Sequence, residues 1–158
     1  MENENNKELT IVRTFDAPRE LVWKAWIDEK MLAKWWGPNG ITIPVCTVDM
    51  RVGGAMRIVM LAGKELGSFA GTEWPMTGTV TEIVEPEKLV FVSSPIIDDK
   101  PIMDTLSTMT LKEVGDKTEM TLRIVVTRTT PAAEGPLSGM EMGWNQSINK
   151  LAKFLERK

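Results

Sequence analysis

The side chains of this chain that could do covalent chemistry are few. The sequence has no His and no Tyr, and its one cysteine is Cys46. Without imidazole there can be no Ser-His-Asp triad and no zinc site of the usual kind. No two carboxylates have a spacing that predicts acid–base catalysis. Because a reactive thiolate needs a cationic neighbour or a helix N-terminus, we interpret Cys46 as a buried, inert thiol. We therefore predict no catalytic residue and no metal site.

Charge and motifs also limit the partners. A net charge of −3 provides no basic field that would attract nucleic acid. The sequence contains no P-loop, GxGxxG or CxxC motif, so we predict no cofactor. No apolar run reaches the roughly 18 residues of a membrane span, so we also predict no insertion into a membrane.

The chain is expected to be one cytoplasmic domain with a short tail. Residues 1–8, MENENNKE, are polar and acidic, which is unlike a signal peptide and predicts a disordered tail. Residues 9–158 are enough for a single domain with its own core. A lone cysteine fits a reducing compartment. The sequence leaves open whether the chain forms a homodimer.

Arg13 is a charged residue on an otherwise apolar strand face. In LTIVRTF it has the same parity as Leu9, Ile11 and Phe15, so its side chain is expected to point inward. One hypothesis is that Arg13 anchors the carboxylate or carbonyl group of a ligand. The alternative is an exposed arginine or a structural ion pair, because an unpaired buried charge is strongly unfavourable. The carboxylates considered as partners are Asp49, Glu73, Glu82 and Asp104.

Two adjacent tryptophans end a short predicted helix in KWWGPNG, residues 34–40. Asp28 is the expected cap of this helix, and Gly37-Pro38 ends it. Adjacent helical residues point about 100° apart, so we predict that Trp35 and Trp36 do not share one pocket. Both rings could serve packing alone, or one of them could line the entrance to a cavity.

Strands are concentrated in the middle of the chain and helices near its two ends. An apolar stripe of Leu21, Val22, Ala25 and Trp26 predicts a first helix, with Trp23 off the stripe. A parity change after Pro44 predicts a β-bulge or an edge-strand kink. We predict loops over 62–73 and 94–105, a linker over 129–139 and an amphipathic helix over 139–158. The predicted strands are 9–15, 41–50, 55–62, 74–84, 89–94, 104–114 and 117–128.

This order predicts an α+β fold. In the predicted fold, a curved antiparallel sheet of about six or seven strands wraps around a long C-terminal helix, and two short helices follow the first strand. The chain has eleven Met, a flexible residue that adapts to irregular partners. The inward-facing residues could therefore form a packed soft core or line a cavity of roughly 300 Å³ or more. The candidate lining residues are Trp35, Trp36, Met56, Met60, Trp74, Met76, Phe91, Met109, Met120, Trp144 and Ile148.

Five segments in the same order resemble one family, and the resemblance covers roughly residues 9–156. They are FDAPRELVWKAW, KWWGPNGI, the Gly53-Gly54 turn, GTVTEIVEPEKLVF and GMEMGWNQSINKLAKFL. The family is the SRPBCC or START-like superfamily, in its branch of activator-of-heat-shock-chaperone-ATPase homologues (AHSA-type). The resemblance implies a helix-grip fold, in which a curved sheet holds a long terminal helix.

The resemblance implies three kinds of function. The first is binding of an apolar or amphipathic small molecule between helix and sheet. The second is a protein-interaction module with a chaperone as partner, although this chain has no room for the extra domain of the eukaryotic activator. The third is a hydrolase or cyclase that uses the same cavity. Val92-Ser93-Ser94 and residues 94–105 depart from the family pattern, so the identity of a ligand does not transfer.

Overall fold

A curled antiparallel sheet forms the body of the protein in the computed structural model, which describes residues 8–156 apart from the side chains of Gly135 and Pro136. Seven strands follow the order β1-β8-β7-β5-β4-β3-β2, and the short β6 pairs with β5 beside this path. The predicted α+β class and strand number are confirmed. The strands are β1 Glu8–Phe15, β2 Ile41–Val48, β3 Ala55–Ala62, β4 Glu73–Val84, β5 Lys88–Ile97, β6 Lys100–Pro101, β7 Met103–Val114 and β8 Lys117–Thr129.

Two short helices follow β1, as predicted, and a longer helix closes the fold. They are α1 Arg19–Ile27, α2 Glu29–Trp35, α3 Glu134–Ser138 and α4 Met140–Phe154. Asp28 separates the first two helices and caps the second. Its Oδ1 accepts hydrogen bonds from the backbone N–H groups of Lys30 at 2.9 Å and Met31 at 3.1 Å. Asp28 thereby satisfies N–H groups that have no partner within the helix. None of the helices within residues 8–156 is long and apolar enough to cross a membrane.

The inner face of the sheet carries the core. Along β7 and β8, buried residues alternate with more exposed ones over most of each strand. This alternation is expected when one face of an antiparallel sheet is wet. The apolar stripe of α4 belongs to the same core through Met140, Ile148, Leu151 and the adjoining Leu155. Burying one such side chain contributes about 1.5–3 kcal/mol, so α4 and the sheet stabilise each other.

The predicted loop over 94–105 is wrong, because β5 continues to Ile97 and β7 begins at Met103. Asp98 and Asp99 take left-handed backbone conformations, with φ of 53° and 64°. Two consecutive left-handed residues make a tight hairpin turn, and Asp tolerates this conformation better than most residues. The sequence suggested a loop because it contains two prolines. Pro95 still takes part in the pairing through its carbonyl, which accepts from the N–H of Ile102 at 3.0 Å.

The predicted linker over 129–139 is also wrong, because it contains a 3-10 turn at Pro131–Ala133 followed by α3. Thr130 fixes its start, since the Thr130 hydroxyl donates to the carbonyl of Ile102 at 2.7 Å. Pro and Gly within this stretch suggested a connection without structure. Hydrogen bonds from Thr130 to the carbonyl of Ile102, which is distant in sequence, decided otherwise.

Two smaller expectations change at the N-terminal end. Glu8, assigned to the tail, is the first residue of β1, while the rest of the predicted tail lies outside the described residues. Trp23 is buried, whereas Leu21 is 37% exposed. The buried face of α1 therefore includes Trp23 in place of Leu21.

The bulge predicted after Pro44 is confirmed by a register shift between Thr42 and Val45.

Asp28→Ala should destabilise the protein by about 1 kcal/mol, because it removes the acceptor for the first N–H groups of α2. Chemical denaturation would measure the change. Asp28→Asn is the matched control and should retain most of the stability, since its side-chain oxygen can still accept. Equal losses in the two variants would contradict a role in capping.

Candidate functional site

Four tryptophans meet in the core, three of them from α1, α2 and α4 and the fourth from the residue that follows α2. Trp26 lies 4.8 Å from Trp35, 6.5 Å from Trp36 and 6.4 Å from Trp144, measured between ring centroids. The rings of Trp26 and Trp144 are nearly parallel, whereas Trp36 meets Trp144 edge to face at 5.2 Å. Both arrangements are favourable for aromatic pairs. We call these four residues the tryptophan cluster.

The prediction that Trp35 and Trp36 do not share one pocket is wrong. Their ring centroids are 5.8 Å apart, and Trp35 is fully buried while Trp36 is 7% exposed. The reason is that α2 ends at Trp35, and Trp36 takes an extended backbone conformation. The angle of about 100° between adjacent helical side chains does not apply across this helix end. Their burial supports the packing interpretation for both rings.

Two ring N–H groups of the tryptophan cluster differ in their hydrogen bonding. Trp35 Nε1 donates to the carbonyl of Ala25 at 3.0 Å. Trp26 Nε1 is buried and has no acceptor among residues 8–156. A buried donor without an acceptor loses its hydration with no compensating bond. Trp26 thus brings an available donor into an apolar region.

Most of the predicted lining residues belong to a single core. Trp35, Trp36, Met56, Met76, Phe91, Met109, Met120 and Ile148 are buried there, and Met60 and Trp144 pack against it half-buried. Trp74 lies apart, with its ring 6.3 Å from Phe69 and its Nε1 bonded to Thr72. That these side chains line a ligand cavity stays a prediction.

Hydroxyl groups lie on the inner face among these apolar residues. Ser93 on β5 and Thr105 on β7 are buried, and their side-chain oxygens are 2.9 Å apart. Ser107, two residues further along β7, is also buried, but its Oγ has no partner within the described chain. Its register neighbours are Phe91 and Ile124. Sequence reasoning missed Ser107, although its parity with Met109 in an alternating strand would have placed it inward.

Arg13 points toward α4, as its parity predicted. The guanidinium Nη2 donates to Oδ1 of Asn149 at 2.8 Å, and the side chain is half-buried. Three of the carboxylates considered as its partners pair with other cations instead. They form the pairs Asp49–Arg51, Glu82–Lys88 and Asp104–Arg128. The structure thus gives Arg13 an amide as its partner in place of the ion pair that was one of the alternatives.

The chemistry of Cys46 and Asp104 follows from their surroundings. Burial, with a contribution from the charge of Glu29, raises the pKa of the Cys46 thiol to about 11. The thiol therefore stays protonated at neutral pH, which agrees with the inert role expected of it. Hydrogen bonds from Arg128 and Ser94 lower the pKa of Asp104, which makes this carboxylate a structural anion.

Two open depressions on the surface of residues 8–156 are lined by none of the predicted lining residues. The first has a volume of about 370 Å³ and lies along α4, beside Asn39 of the turn that follows α2. The second has a volume of about 250 Å³ and lies over the pairing of β4 with β5 around Gly78 and Ser93. Both are accessible from solvent without any movement of the tryptophan cluster.

Truncation of either buried tryptophan should be costly. Trp35→Ala and Trp36→Ala should each lower the free energy of unfolding by about 3–5 kcal/mol, because a large apolar side chain leaves a cavity in a packed region. Urea denaturation followed by circular dichroism would measure this without relying on the tryptophan signal.

Trp74→Ala is the control for these two variants, since its half-exposed ring lies outside the core, and it should cost much less. A loss below about 1 kcal/mol for Trp36→Ala, well under the range for buried tryptophans, would show that Trp36 covers a mouth instead of filling a core.

Comparison with known proteins identifies the family. The family model described as "Activator of Hsp90 ATPase homolog 1-like protein" matches residues 16–156. No curated protein matches the chain.

Solved structures agree with this match. Protein CV1439 from Chromobacterium violaceum is 28% identical over 96% of this chain and 98% of that chain, with a TM-score of 0.79. A protein from Arthrobacter aurescens is 26% identical over 94% and 85%, with a TM-score of 0.80. The AHSA1 protein from Silicibacter pomeroyi is 26% identical over 93% and 96%, with a TM-score of 0.73. The chain therefore belongs to the family of Activator of Hsp90 ATPase homolog 1-like proteins, with the helix-grip fold of the SRPBCC superfamily.

Proposed function

We propose that this protein binds a small apolar or amphipathic molecule between α4 and the inner face of the sheet. The molecule would contact the methionine and aromatic side chains of the core and form a hydrogen bond with a hydroxyl group on β7. Arg13 is not needed as an anchor, because its guanidinium already has a partner on α4.

The observation that carries this proposal is the unpaired hydroxyl of Ser107. Its Oγ is buried among apolar neighbours and has no partner among residues 8–156. Leaving such a group unpaired costs about 1–3 kcal/mol, so a core selected only for packing would gain from Ala at this position. A ligand with a hydroxyl or carbonyl group would provide the missing partner. Trp26 Nε1 offers a second donor in the same core.

Space for the ligand would come from side-chain rearrangement. Met56, Met109 and Met120 are buried on the inner face, and Met changes its shape at low cost because its chain is unbranched. The tryptophan cluster would stay in place and define one end of the site. The bound molecule would then be selected by its shape and by one polar group.

A protein-interaction module is the second candidate, and one observation favours it. Phe69 is 56% exposed beside the half-exposed ring of Trp74, and aromatic side chains are enriched at protein interfaces. A chaperone partner, a homodimer and a cytoplasmic location remain predictions from the sequence, as does a single domain over 9–158.

A hydrolase or cyclase would need a titratable group beside the hydroxyls of Ser93, Thr105 and Ser107, and no observation here favours one.

A matched pair of neutral ligands tests the proposal. Cyclohexanol and chlorocyclohexane have similar shapes, but only cyclohexanol can bond fully with Ser107. A saturable change in tryptophan fluorescence is expected for both, with cyclohexanol binding about fivefold more tightly for one net hydrogen bond. Native mass spectrometry of freshly purified protein should also detect a retained small molecule.

Ser107→Ala is the decisive variant. It should abolish the preference for cyclohexanol and leave the protein folded, with stability unchanged or raised by up to about 1–3 kcal/mol. Thr108→Ala is the control on the opposite face of the same strand and should leave the preference intact. If neither ligand produces a saturable signal, or if Ser107→Ala retains the preference, binding at this place is refuted.

A further inference from the structure

The depression along α4 has the composition of an anion site. Its volume is about 370 Å³, and it is open to solvent along α4. Its lining residues are Asn39, Asn149, Lys150, Ala152, Lys153 and Glu156. Lys150 and Lys153 supply ammonium groups, and Asn39 and Asn149 supply amide donors.

Lys150 is the unusual member of this group. Its side chain is half-buried, and among residues 8–156 its Nζ donates only to the carbonyl oxygens of Trp36 at 3.4 Å and Pro38 at 3.5 Å. These contacts are long, and neutral carbonyls do not balance the ammonium charge. No carboxylate of residues 8–156 forms an ion pair with Lys150, and burial lowers the pKa of its ammonium group. A bound anion would supply the missing countercharge.

Arg13 orients a second donor in the same place. Its guanidinium holds Oδ1 of Asn149, which leaves the amide hydrogens of Asn149 available to another acceptor. Arg13 also adds a positive charge behind Asn149. Glu156 carries the opposite charge in the groove, which disfavours large polyanions and favours a ligand with a single anionic group.

We propose that this groove binds a small anion through Lys150, Lys153 and Asn149, with a carboxylate or phosphate group seated against Lys150. Ala152 offers a short apolar surface beside the charged group, so the anion could be free or could be the head group of an amphiphile. This inference does not depend on the proposed function, because none of the groove residues faces Ser107 on β7.

Nuclear magnetic resonance titration of the ¹⁵N-labelled full chain tests the proposal. The probes are sodium phosphate and sodium decanoate, at constant ionic strength, with neutral 1-decanol as the uncharged reference. Saturable shifts are expected at the amides of residues 39 and 149–153 with an anion and not with 1-decanol. Tighter binding of decanoate than of phosphate would identify an amphiphile head group, and the reverse would identify a free anion.

Lys150→Met keeps the aliphatic stem and removes the charge, so it should weaken anion binding by at least about tenfold. Lys150→Arg should retain binding. Lys112→Met removes an exposed lysine on β7, outside the groove, and should have no effect. If Lys150→Met does not fold, Lys153→Met provides the same comparison with a smaller expected loss, because Lys153 is exposed.

Three results would overturn the anion site. They are the absence of saturable shifts in the groove, equal shifts with 1-decanol, and unchanged affinity in the folded lysine-to-methionine variant. Failure here does not affect the cyclohexanol titration, which tests the core between α4 and the inner face of the sheet. The two proposals can therefore fail separately.

Discussion

The contact of α4 with the curled sheet holds this structure together, and the tryptophan cluster closes it at one end. Trp144 on α4 stacks on Trp26 of α1 and meets Trp36 edge to face. These residues are more than 100 positions apart in the chain, so the cluster links the two short helices after β1 to the last helix. Because each ring buries a large apolar area, the helices and the sheet become stable only together.

Polar contacts along α4 complement this apolar packing. Gln146 accepts from the N–H of Asn39 at 2.9 Å, Lys150 reaches the carbonyls of Trp36 and Pro38, and Asn149 binds Arg13 of β1. These contacts join α4 to the turn after α2 and to β1. Apolar contacts are non-directional, whereas these bonds require one position of the helix along its axis. They therefore specify how α4 lies on the sheet.

The inner face of the sheet combines soft side chains with hydroxyl groups. Methionine can adapt to different shapes, while Ser93 and Thr105 bond to each other and leave Ser107 without a partner. The outer side of α4 has the opposite character, with ammonium and amide groups around a small open groove. Within residues 8–156, α4 thus lies between an apolar interior with one unpaired buried hydroxyl and a polar exterior where Lys150 has no carboxylate partner. These two environments suit ligands of different chemistry.

The sequence by itself determined what depends on near neighbours in the chain. The cap at Asp28, the bulge after Pro44 and the amphipathic pattern of α4 are all local, and all are confirmed. The tertiary structure decided what depends on distant partners. Residues 94–105 and 129–139 contain prolines that suggest loops, yet pairing with β5 and bonds to Ile102 order them. The burial of Trp35 and Trp36 in one core and the isolation of Ser107 arise only in the complete fold, because burial and the lack of a partner depend on all neighbours at once.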